Sequence, residues 1–365
     1  MFKAHRKYAR KFLCRGFLAL TIFTVIAAPL HAQLQFRLVD LNSPFNDYYG
    51  FGINNQGDTV SEHYFSYSST CFLNAGGSQN QLPIYGNPSS CIPYAINDNR
   101  QIVGTLVHSG RLHGFLWTTT GINPLTGQYI ELLSTSGNSS DETAAYGIDP
   151  NGNVVGSMWV GGSEHAAAWN LRCKRLVCFY VATDFGAFNC SGCFSRAFAT
   201  NGSEVVGQSS FPGGEIHAVL WQNNVTFDIS PVNGGTSSAN AVNLNGDAVG
   251  YVDSDTALWH NQTLNRLITS QNIQATAISS DGWIVGMSTP LAGSGSYLVA
   301  PCGPQNLANM LDKSATGWEI AAIHGINNQH WIVGTGFHSI HTPPDNIGHY
   351  HAIVLIPNGG NPCPS

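Results

Sequence analysis

A short pattern that recurs along the whole chain restricts the fold more than any other feature. Its fullest copy, at residues 145–169, reduces to A-x-x-I-[ND]-x-x-G-x-[IV]-V-G, followed after about nine residues by H-A-x-x-W. The residue that ends the first part recurs at Ser61, Gly104, Gly156, Gly207, Gly250, Gly286 and Gly334. The mean spacing is about 45 residues, within the roughly 40 to 50 residues of known propeller repeats. The sequence therefore predicts seven repeat units.

Each unit is expected to form four short antiparallel strands. The two β-rich runs of the first motif are joined by N-x-x-G or D-P-N-G, the residue chemistry of a tight hairpin turn. The H-A-x-L-W segment supplies a third strand that is apolar on both faces. A fourth run is expected at residues 129–133, 179–183, 225–229, 264–269 and 307–311. Four such strands make one propeller blade, which buries its faces only against neighbouring blades.

The two ends of the repeat array are expected to meet. The seventh unit ends without a fourth strand, whereas residues 35–41 precede the first unit and resemble the fourth runs. Pairing them with residues 352–355 would leave no sheet edge open. We therefore predict an all-β, seven-bladed β-propeller of four-stranded blades, closed by the N-terminal strand. An open solenoid is the alternative, and it would not need that strand.

The N-terminal segment has the composition of a secretory signal peptide. Six basic residues and no acidic residue accompany the apolar run 17–30, and a small-residue end at Ala32 precedes Gln33. An uncleaved anchor is the alternative, but this run is shorter than the roughly 20 residues of a membrane span, and no second long apolar run follows. We expect a signal peptide at 1–32, one propeller domain at 33–357, a tail at 358–365 and an extracellular or periplasmic location.

The net charge restricts the expected partners, and the cysteines agree with export. Cleavage would remove six of the 15 basic residues and none of the 21 acidic ones, so the formal charge would change from −6 to −12, which argues against nucleic acid or anionic membrane as a partner. Eight cysteines remain and are expected to form disulfides, with nearest-neighbour pairing preferred among 105 connectivities. They are Cys71, Cys91, Cys173, Cys178, Cys190, Cys193, Cys302 and Cys363. The C-x-x-C at Cys190 lacks the helical setting that redox chemistry needs.

A family resemblance follows from the repeated motif. Residues 95–104 with 113–117, and residues 145–156 with 165–169, resemble the HAF family of bacterial extracellular repeats. The resemblance covers essentially the whole chain after residue 32. It implies a bacterial exported protein, and it carries over no catalytic residue.

The conserved positions of the repeat are expected to be structural. The motif histidines are interpreted as hydrogen-bonding posts between strands or blades, and the motif tryptophans as blade packing rather than a carbohydrate platform. These residues are His113, His165, His217 and His351, and Trp117, Trp169, Trp221 and Trp259. Blades one, five and six depart from the motif, which argues against a catalytic role for it.

Two segments break the pattern. Residues 337–349 contain His338, His341 and His349, which would suit a transition metal, although a polar exposed loop is the preferred interpretation. Residues 171–195 contain four cysteines and a basic cluster at Arg172 and Arg175 with the lysine between them. A docking loop for an anionic partner and a stapled long hairpin are both compatible with this segment, and the hairpin is preferred.

No motif in the sequence assigns an activity. A nucleophile elbow, a phosphate-binding glycine loop and a complete calcium loop are all absent, so we assign no catalytic residue, cofactor or metal. We expect a monomeric, non-catalytic scaffold that presents its loops or its channel to a protein or glycan ligand. The alternative is a propeller hydrolase or lyase with titratable groups at the channel mouth.

Overall fold

The fold is a ring of seven four-stranded antiparallel sheets. The computed structural model describes residues 33–42, 46–84, 88–119, 126–175, 177–187, 192–223, 225–230, 235–269, 272–288, 295–339, 348–361 and 363. The signal peptide expected at 1–32, including Ala32, and the end of the tail lie outside the described residues. The predicted seven-bladed β-propeller is confirmed, and the described part of the chain contains only two short helical turns.

Strand β1 (Phe36–Asp40) precedes blade one. Blade one contains β2 (Asp47–Ile53), β3 (Thr59–Phe65), β4 (Ser68–Ala75) and β5 (Ser78–Gln81). Blade two contains β6 (Ser90–Ile96), β7 (Gln101–His108), β8 (Arg111–Thr119) and β9 (Gly127–Leu132). Blade three contains β10 (Thr143–Ile148), β11 (Val154–Val160), β12 (Ser163–Lys174) and β13 (Val177–Gly186). Blade four contains β14 (Ser195–Thr200), β15 (Glu204–Ser210), β16 (Ile216–Gln222) and β17 (Val225–Asp228).

The remaining blades follow the same order. Blade five contains β18 (Ser237–Val242), β19 (Ala248–Val252), β20 (Asp255–His260) and β21 (Thr263–Ile268). Blade six contains β22 (Ile273–Ile278), β23 (Ile284–Ser288), β24 (Ser296–Ala300) and β25 (Gly303–Asn306). Blade seven contains β26 (Trp318–Ile326), β27 (Ile332–His338) and β28 (His349–Pro357), and β1 is its fourth strand.

The ring closes as the sequence predicts. Strand β1 pairs antiparallel with β28, in a register that runs from Phe36 opposite Pro357 to Asp40 opposite Ile353. Both ends of the described chain therefore contribute to one sheet, and the open solenoid is excluded. Closure satisfies the edge of β28, which would otherwise present unpaired backbone groups.

One predicted strand is wrong. The fourth strand of blade six is β25, and the apolar run expected at 307–311 instead begins with a 3₁₀ helix at Leu307–Met310. The side chain of Asn306 accepts from the backbone N–H of Ala308 and so caps this turn. Leu307 and Met310 are buried in the core between the last blades, which explains why the run is apolar without being a strand.

The motif glycine is required by close strand approach. A Cβ atom at Gly156 would lie 1.9 Å from the carbonyl oxygen of Ala144 on the first strand of the same blade. Gly207 and Gly250 would meet the equivalent carbonyl oxygens at the same distance. These contacts explain why the second strand of most units carries glycine at this position.

The motif asparagine has two functions. In blade one, Asn54 Oδ1 accepts from the backbone N–H groups of Gln56 and Asp58, which fixes the turn between the first two strands. The Nδ2 of the same residue donates to the carbonyl oxygen of Asn97 in the next blade. Equivalent donations join Asn97 to Asp149, Asn201 to Asn243, Asn243 to Ser279 and Asn327 to Asn54. We call these five bonds the amide belt.

The histidine posts are confirmed. Each motif histidine bonds through Nδ1 to a carboxylate on the fourth strand of its own blade, at 2.9 to 3.1 Å. The pairs are His113 with Glu131, His165 with Asp184, His217 with Asp228 and His351 with Asp40. In blade five the acidic and basic residues exchange strands: Asp255 on the third strand bonds to Arg266 on the fourth.

The motif tryptophans are packing residues, as predicted. Trp117, Trp169, Trp221 and Trp259 are all buried between blades. Trp169 and Trp259 also donate from Nε1 to the carbonyl oxygens of Leu133 and Ile229, both at 2.7 Å. Their rings are therefore not available as a surface platform for sugars.

Chain direction divides the connections between two faces of the ring. We call the face with the asparagine turns the turn face and the opposite one the loop face. The tip of the β12–β13 hairpin lies on the turn face, where the Tyr180 hydroxyl donates to the carbonyl oxygen of Gly152 in the asparagine-type turn of the same blade. The described ends of the β27–β28 connection, His338 and His349, lie on the loop face. The tip of the β12–β13 hairpin and these two residues therefore lie on opposite sides of the ring.

Disulfide bonds connect different parts of the ring. Cys71 of β4 bonds to Cys91 of β6 and joins blades one and two, and Cys173 bonds to Cys178 across the β12–β13 hairpin. Cys302, between β24 and β25, bonds to Cys363 near the C-terminus. Cys193 is also disulfide-bonded, and Cys190 lies outside the described residues.

Candidate functional site

The first strand of each blade carries a β-bulge at the same motif position. In blade three the register shifts between Ala145 and Gly147, so that Tyr146 has no partner on β11. Equivalent shifts occur in the other six blades. A bulge bends the strand and redirects a side chain. Here it directs one side chain from every blade into the central channel.

These seven side chains form a collar around the channel. The collar residues are Phe51, Tyr94, Tyr146, Phe198, Asn240, Thr276 and His324, in blade order. The cavity that they line has a volume of about 350 Å³. The collar is therefore aromatic over five consecutive blades, from seven through four, and polar in blades five and six.

The aromatic rings contact one another around the arc. Ring centroids are 5.1 Å apart for His324 and Phe51, 5.7 Å for Phe51 and Tyr94, and 5.3 Å for Tyr94 and Tyr146. Tyr146 and Phe198 continue the arc at 5.8 Å. The interplanar angles lie between 36° and 80°, so neighbouring rings are inclined rather than parallel. Mutual contact holds each ring in place before any ligand enters.

The polar atoms of the collar are largely bonded within the protein. Asn240 accepts at Oδ1 from the Ser238 hydroxyl at 2.7 Å, and its Nδ2 donates to the carbonyl oxygen of Ala275 at 2.8 Å. Thr276 donates from its hydroxyl to the carbonyl oxygen of Val285. Burial raises the pKa of the Tyr94 and Tyr146 hydroxyls, and interactions with Thr105 and Ser157 of their own blades partly offset this rise. The collar thus offers few hydrogen bonds to a ligand.

His324 is the only collar residue whose side chain ordinarily titrates near neutral pH. Its ring is open to the channel, yet protein surrounds it at the centre of the ring, and this desolvation lowers its pKa to about 4. It is therefore neutral at pH 7. A neutral imidazole adds to the aromatic arc without adding charge.

The channel changes character toward the turn face. Two residues beyond the collar, each first strand contributes one mostly aliphatic residue to the wall: Ile53, Ile96, Ile148, Thr200, Val242, Ile278 and Ile326. The opening on the turn face is lined largely by asparagines, including Asn55 and Asn328, with Asp98 beside them. Because the amide belt uses many of these side chains, the amides at this opening serve mainly to hold the ring together.

Glu62 is a buried carboxylate beside the collar. It is 9% exposed on β3, and burial raises the pKa of its carboxyl, an effect that a hydrogen bond with Ser69 partly offsets. It also interacts electrostatically with Tyr94. In blade seven the corresponding residue is Thr335, whose hydroxyl oxygen accepts a hydrogen bond from the backbone N–H of Gly50 in the next blade. The residue of blade two that corresponds to Gly50 is Pro93, which has no N–H and so cannot donate to Glu62 in this way.

The segment with the three extra histidines is only partly described. His338 and His349 lie opposite each other in the β27–β28 pair, and His341 lies outside the described residues. His338 stacks on Trp318 with centroids 4.4 Å apart, and His349 contacts Asp47 at 3.4 Å. Within the described ranges, no group of three or more His, Cys, Asp or Glu side chains could hold a metal ion.

The basic cluster lies at the tip of an arm. Strands β12 and β13 extend beyond the body of blade three, and Arg172, Lys174 and Arg175 are exposed there beside the Cys173–Cys178 disulfide. Phe179 lies opposite Arg172 and is also exposed. The long stapled hairpin is therefore present. Because the arm extends the third and fourth strands of its blade, whereas the first strands line the channel, it is a separate surface.

The sequence pattern did not predict that the collar residues line the channel. Its residues occupy the variable position two before the motif Ile, as in Tyr94 before Ile96 and Tyr146 before Ile148. Aromatic residues or histidine fill that position in five of the seven units, and this was the available signal. The pattern alone does not show that the position is bulged, so it reads as one more strand residue.

Three solved structures are similar to this chain at low sequence identity. No family model matches the sequence, and no curated protein matches it. The structure of TolB from Acinetobacter baumannii is similar with a TM-score of 0.43 and 11% identity, over 87% of this chain and 66% of that one, just under two thirds of its length. A gluconolactonase from Xanthomonas campestris gives 0.37 and 11%, over 88% and 90%. The tricorn protease gives 0.25 and 10%, over 82% and 38%.

These likenesses have TM-scores below 0.5 and carry no inference about function. Among the residues that the structure describes, none belongs to a helix with the length and hydropathy of a membrane span.

Proposed function

We propose that this protein is a non-catalytic binding scaffold that takes its ligand in the central channel, at the collar. The observation that carries the proposal is the set of seven bulges that direct Phe51, Tyr94, Tyr146, Phe198, Asn240, Thr276 and His324 into one cavity. Bulges next to binding sites commonly redirect a side chain. An apolar pocket with a few polar groups is the usual form of a small-molecule site.

The chemistry of the collar favours binding over catalysis. Its seven residues include no carboxylate, and its one imidazole has a pKa lowered to about 4 by desolvation. General acid–base catalysis requires a group whose pKa lies near the working pH. The aromatic arc instead supplies rigid apolar surface, which suits recognition.

A thermal-shift panel tests this proposal. The purified protein would be heated with neutral sugars, organic acids, amino acids and organic cations, beside the variants Phe51→Leu and Phe198→Leu. We expect at least one compound class to raise the Tm of the wild type and to lose that effect in both variants. Phe179→Leu, on the exposed arm, is the matched control. Absence of any shift, or shifts that persist in both collar variants, would contradict a channel site.

The second candidate is a hydrolase or lyase at the loop-face mouth of the channel. Glu62 favours it, because a buried carboxyl with a raised pKa is a typical general acid. Turnover of lactone, glycoside or uronide substrates, abolished by Glu62→Gln with the fold intact, would support this activity. Equal background rates in the two proteins would end it.

We also propose that the chain is an exported, monomeric member of the HAF family, with cleavage between Ala32 and Gln33. The repeat motif and the three described disulfides support this proposal, since structural disulfides form in oxidising compartments. The proposed boundaries are 1–32 for the signal peptide, 33–357 for the propeller and 358–365 for the tail. N-terminal sequencing and gel filtration of protein secreted from a bacterial host test these points: a mature chain beginning elsewhere than Gln33, or one retained in the cytoplasm, would contradict them.

A further inference from the structure

We infer that the ligand of the collar is a small organic cation bound through a quaternary ammonium group, with the aromatic arc acting as a cage. This inference rests on the proposed channel site and names its ligand class. Cations are attracted to the faces of aromatic rings, and aromatic cages are a known solution for quaternary ammonium groups.

The geometry provides aromatic surface on several sides of one point. Phe51, Tyr94, Tyr146 and Phe198 come from four consecutive blades, and neighbouring ring centroids are 5.3 to 5.8 Å apart. Because the rings follow the curve of the channel, they surround a group on its axis rather than stacking on one plane. Their inclination is fixed by mutual contacts and by the bulged backbone. The cage is thus formed in the unliganded protein.

The hydrogen-bonding state of the collar selects against most polar ligands. Asn240 and Thr276 use their polar side-chain atoms in hydrogen bonds to neighbouring residues. The hydroxyls of Tyr94 and Tyr146 interact with Thr105 and Ser157 of their own blades. A sugar or a primary amine that entered would lose hydrogen bonds to water that these residues cannot fully replace, and buried unsatisfied groups are costly. A quaternary ammonium group has no N–H and therefore loses no such bond.

The electrostatic surroundings favour a cation over an anion. The collar contains no basic side chain that is charged at neutral pH. Arg196, the nearby cation that influences Tyr146, is engaged by both carboxylate oxygens of Glu164 at 2.8 Å. The whole chain carries a formal charge of −6. An anionic ligand would find no available counter-charge among these residues.

The size of the cavity is compatible with a small ligand of this class. Its volume of about 350 Å³ lies at the lower end of the roughly 300 to 1,000 Å³ of small-molecule sites. The aliphatic wall between the collar and the turn face would contact an apolar substituent of the same molecule. A compact trimethylammonium compound meets both requirements.

Calorimetric titration with three matched probes tests the inference. Choline carries the quaternary ammonium, 3,3-dimethyl-1-butanol is its neutral isostere, and ethanolamine carries a primary ammonium with the same alcohol. We expect choline to bind at least about tenfold more tightly than either control compound, because only choline combines charge with the absence of N–H donors. The affinity should fall about tenfold in Phe198→Leu and remain unchanged in Phe179→Leu.

The outcomes separate this inference from the proposed function. Equal binding of the neutral isostere, weakened in Phe198→Leu, would overturn the cation and leave the channel site standing. Choline binding that is unchanged in Phe51→Leu and in Phe198→Leu would overturn both proposals. No heat with choline at millimolar concentration would overturn the cation inference, while the thermal-shift panel independently decides the site. The comparison of probes on the wild type needs no variant to fold.

Discussion

The side-chain amide of Asn327 donates to the backbone carbonyl oxygen of Asn54 at 3.0 Å, across 273 residues of sequence. This bond joins blade seven to blade one, at the point where the ring closes. Its neighbours in the amide belt join consecutive blades in the same way. The belt has two gaps, where the motif position is Asp149 or Ser279, because neither side chain supplies an amide donor. The motif asparagine thus joins neighbouring blades, and at Asn327 it closes the ring.

Replacing the closing asparagine should destabilise the protein. Asn327→Ala removes both the donation to Asn54 and the Oδ1 that accepts from the turn N–H groups of Gln329 and Trp331. We expect the free energy of unfolding to fall by about 1 to 3 kcal/mol, since buried partners are left unsatisfied. Asn99→Ala removes an exposed bond between blades and should cost less than about 1 kcal/mol. Urea denaturation measures both; equal losses would mean that the belt bond has no special weight.

Blade five provides a test of the histidine posts. Arg266→Asp would place a second carboxylate beside Asp255, which is 9% exposed, and should lower the free energy of unfolding by about 1 to 3 kcal/mol. Adding Asp255→His recreates the arrangement of the other blades and should restore part of that loss. Thermal melts of the two variants and the wild type check this expectation. A double variant no more stable than Arg266→Asp would show that the pair is not exchangeable.

His324 should make stability depend on pH. Its folded pKa is lowered to about 4, whereas an unfolded histidine titrates near 6.5. The unfolded chain therefore binds the proton first, so stability contributed by the neutral ring is present above pH 6.5 and is lost as the pH falls toward 4. His324→Gln should remove this component. Unfolding free energies measured from pH 4 to 7.5 should diverge between the two proteins; parallel curves would place the imidazole in ordinary solvent.

The two fully described internal disulfides should differ in their effect on stability. Cys71 and Cys91 are 20 positions apart in the sequence and connect two blades, so Cys71→Ala/Cys91→Ala should lower the free energy of unfolding by about 3 kcal/mol on chain-entropy grounds. Cys173 and Cys178 are 5 positions apart in the peripheral arm, and their removal should cost about 2 kcal/mol or less. Guanidinium denaturation compares the pairs. A larger loss from the arm would show that the arm is part of the cooperative core.

Much of the ring could be predicted because its information is local. The period of the motif determined the number of blades, and the leftover strand β1 determined how the ring closes. The histidine and tryptophan positions could be interpreted because copying a residue around a ring and omitting it in some units is typical of structure rather than catalysis. The prediction of a strand at 307–311 was wrong because an apolar run looks the same in the sequence whether it forms a strand or a buried turn.

The candidate site could not be predicted in the same way. Phe51, Tyr94 and Phe198 are strand residues by pattern, and only the bulge beside each one turns it toward the axis. Likewise, Glu62 lacks the backbone hydrogen bond that Thr335 accepts, because the facing residue of the next blade is Pro93. Both facts depend on which strands become neighbours after the chain has folded.

The sequence by itself determined seven blades, their strand order and the N-terminal closure, because these follow from a hydrophobic and turn pattern repeated about every 45 residues. Only the tertiary structure decided what lines the channel, that Asp255 and Arg266 replace a histidine post, and that the arm and the described ends of the β27–β28 connection lie on opposite faces. The physical reason is that these properties depend on which strands pair within a blade and on which blades become neighbours. Contacts between blades exist only when the ring has closed and brought residues from distant units together.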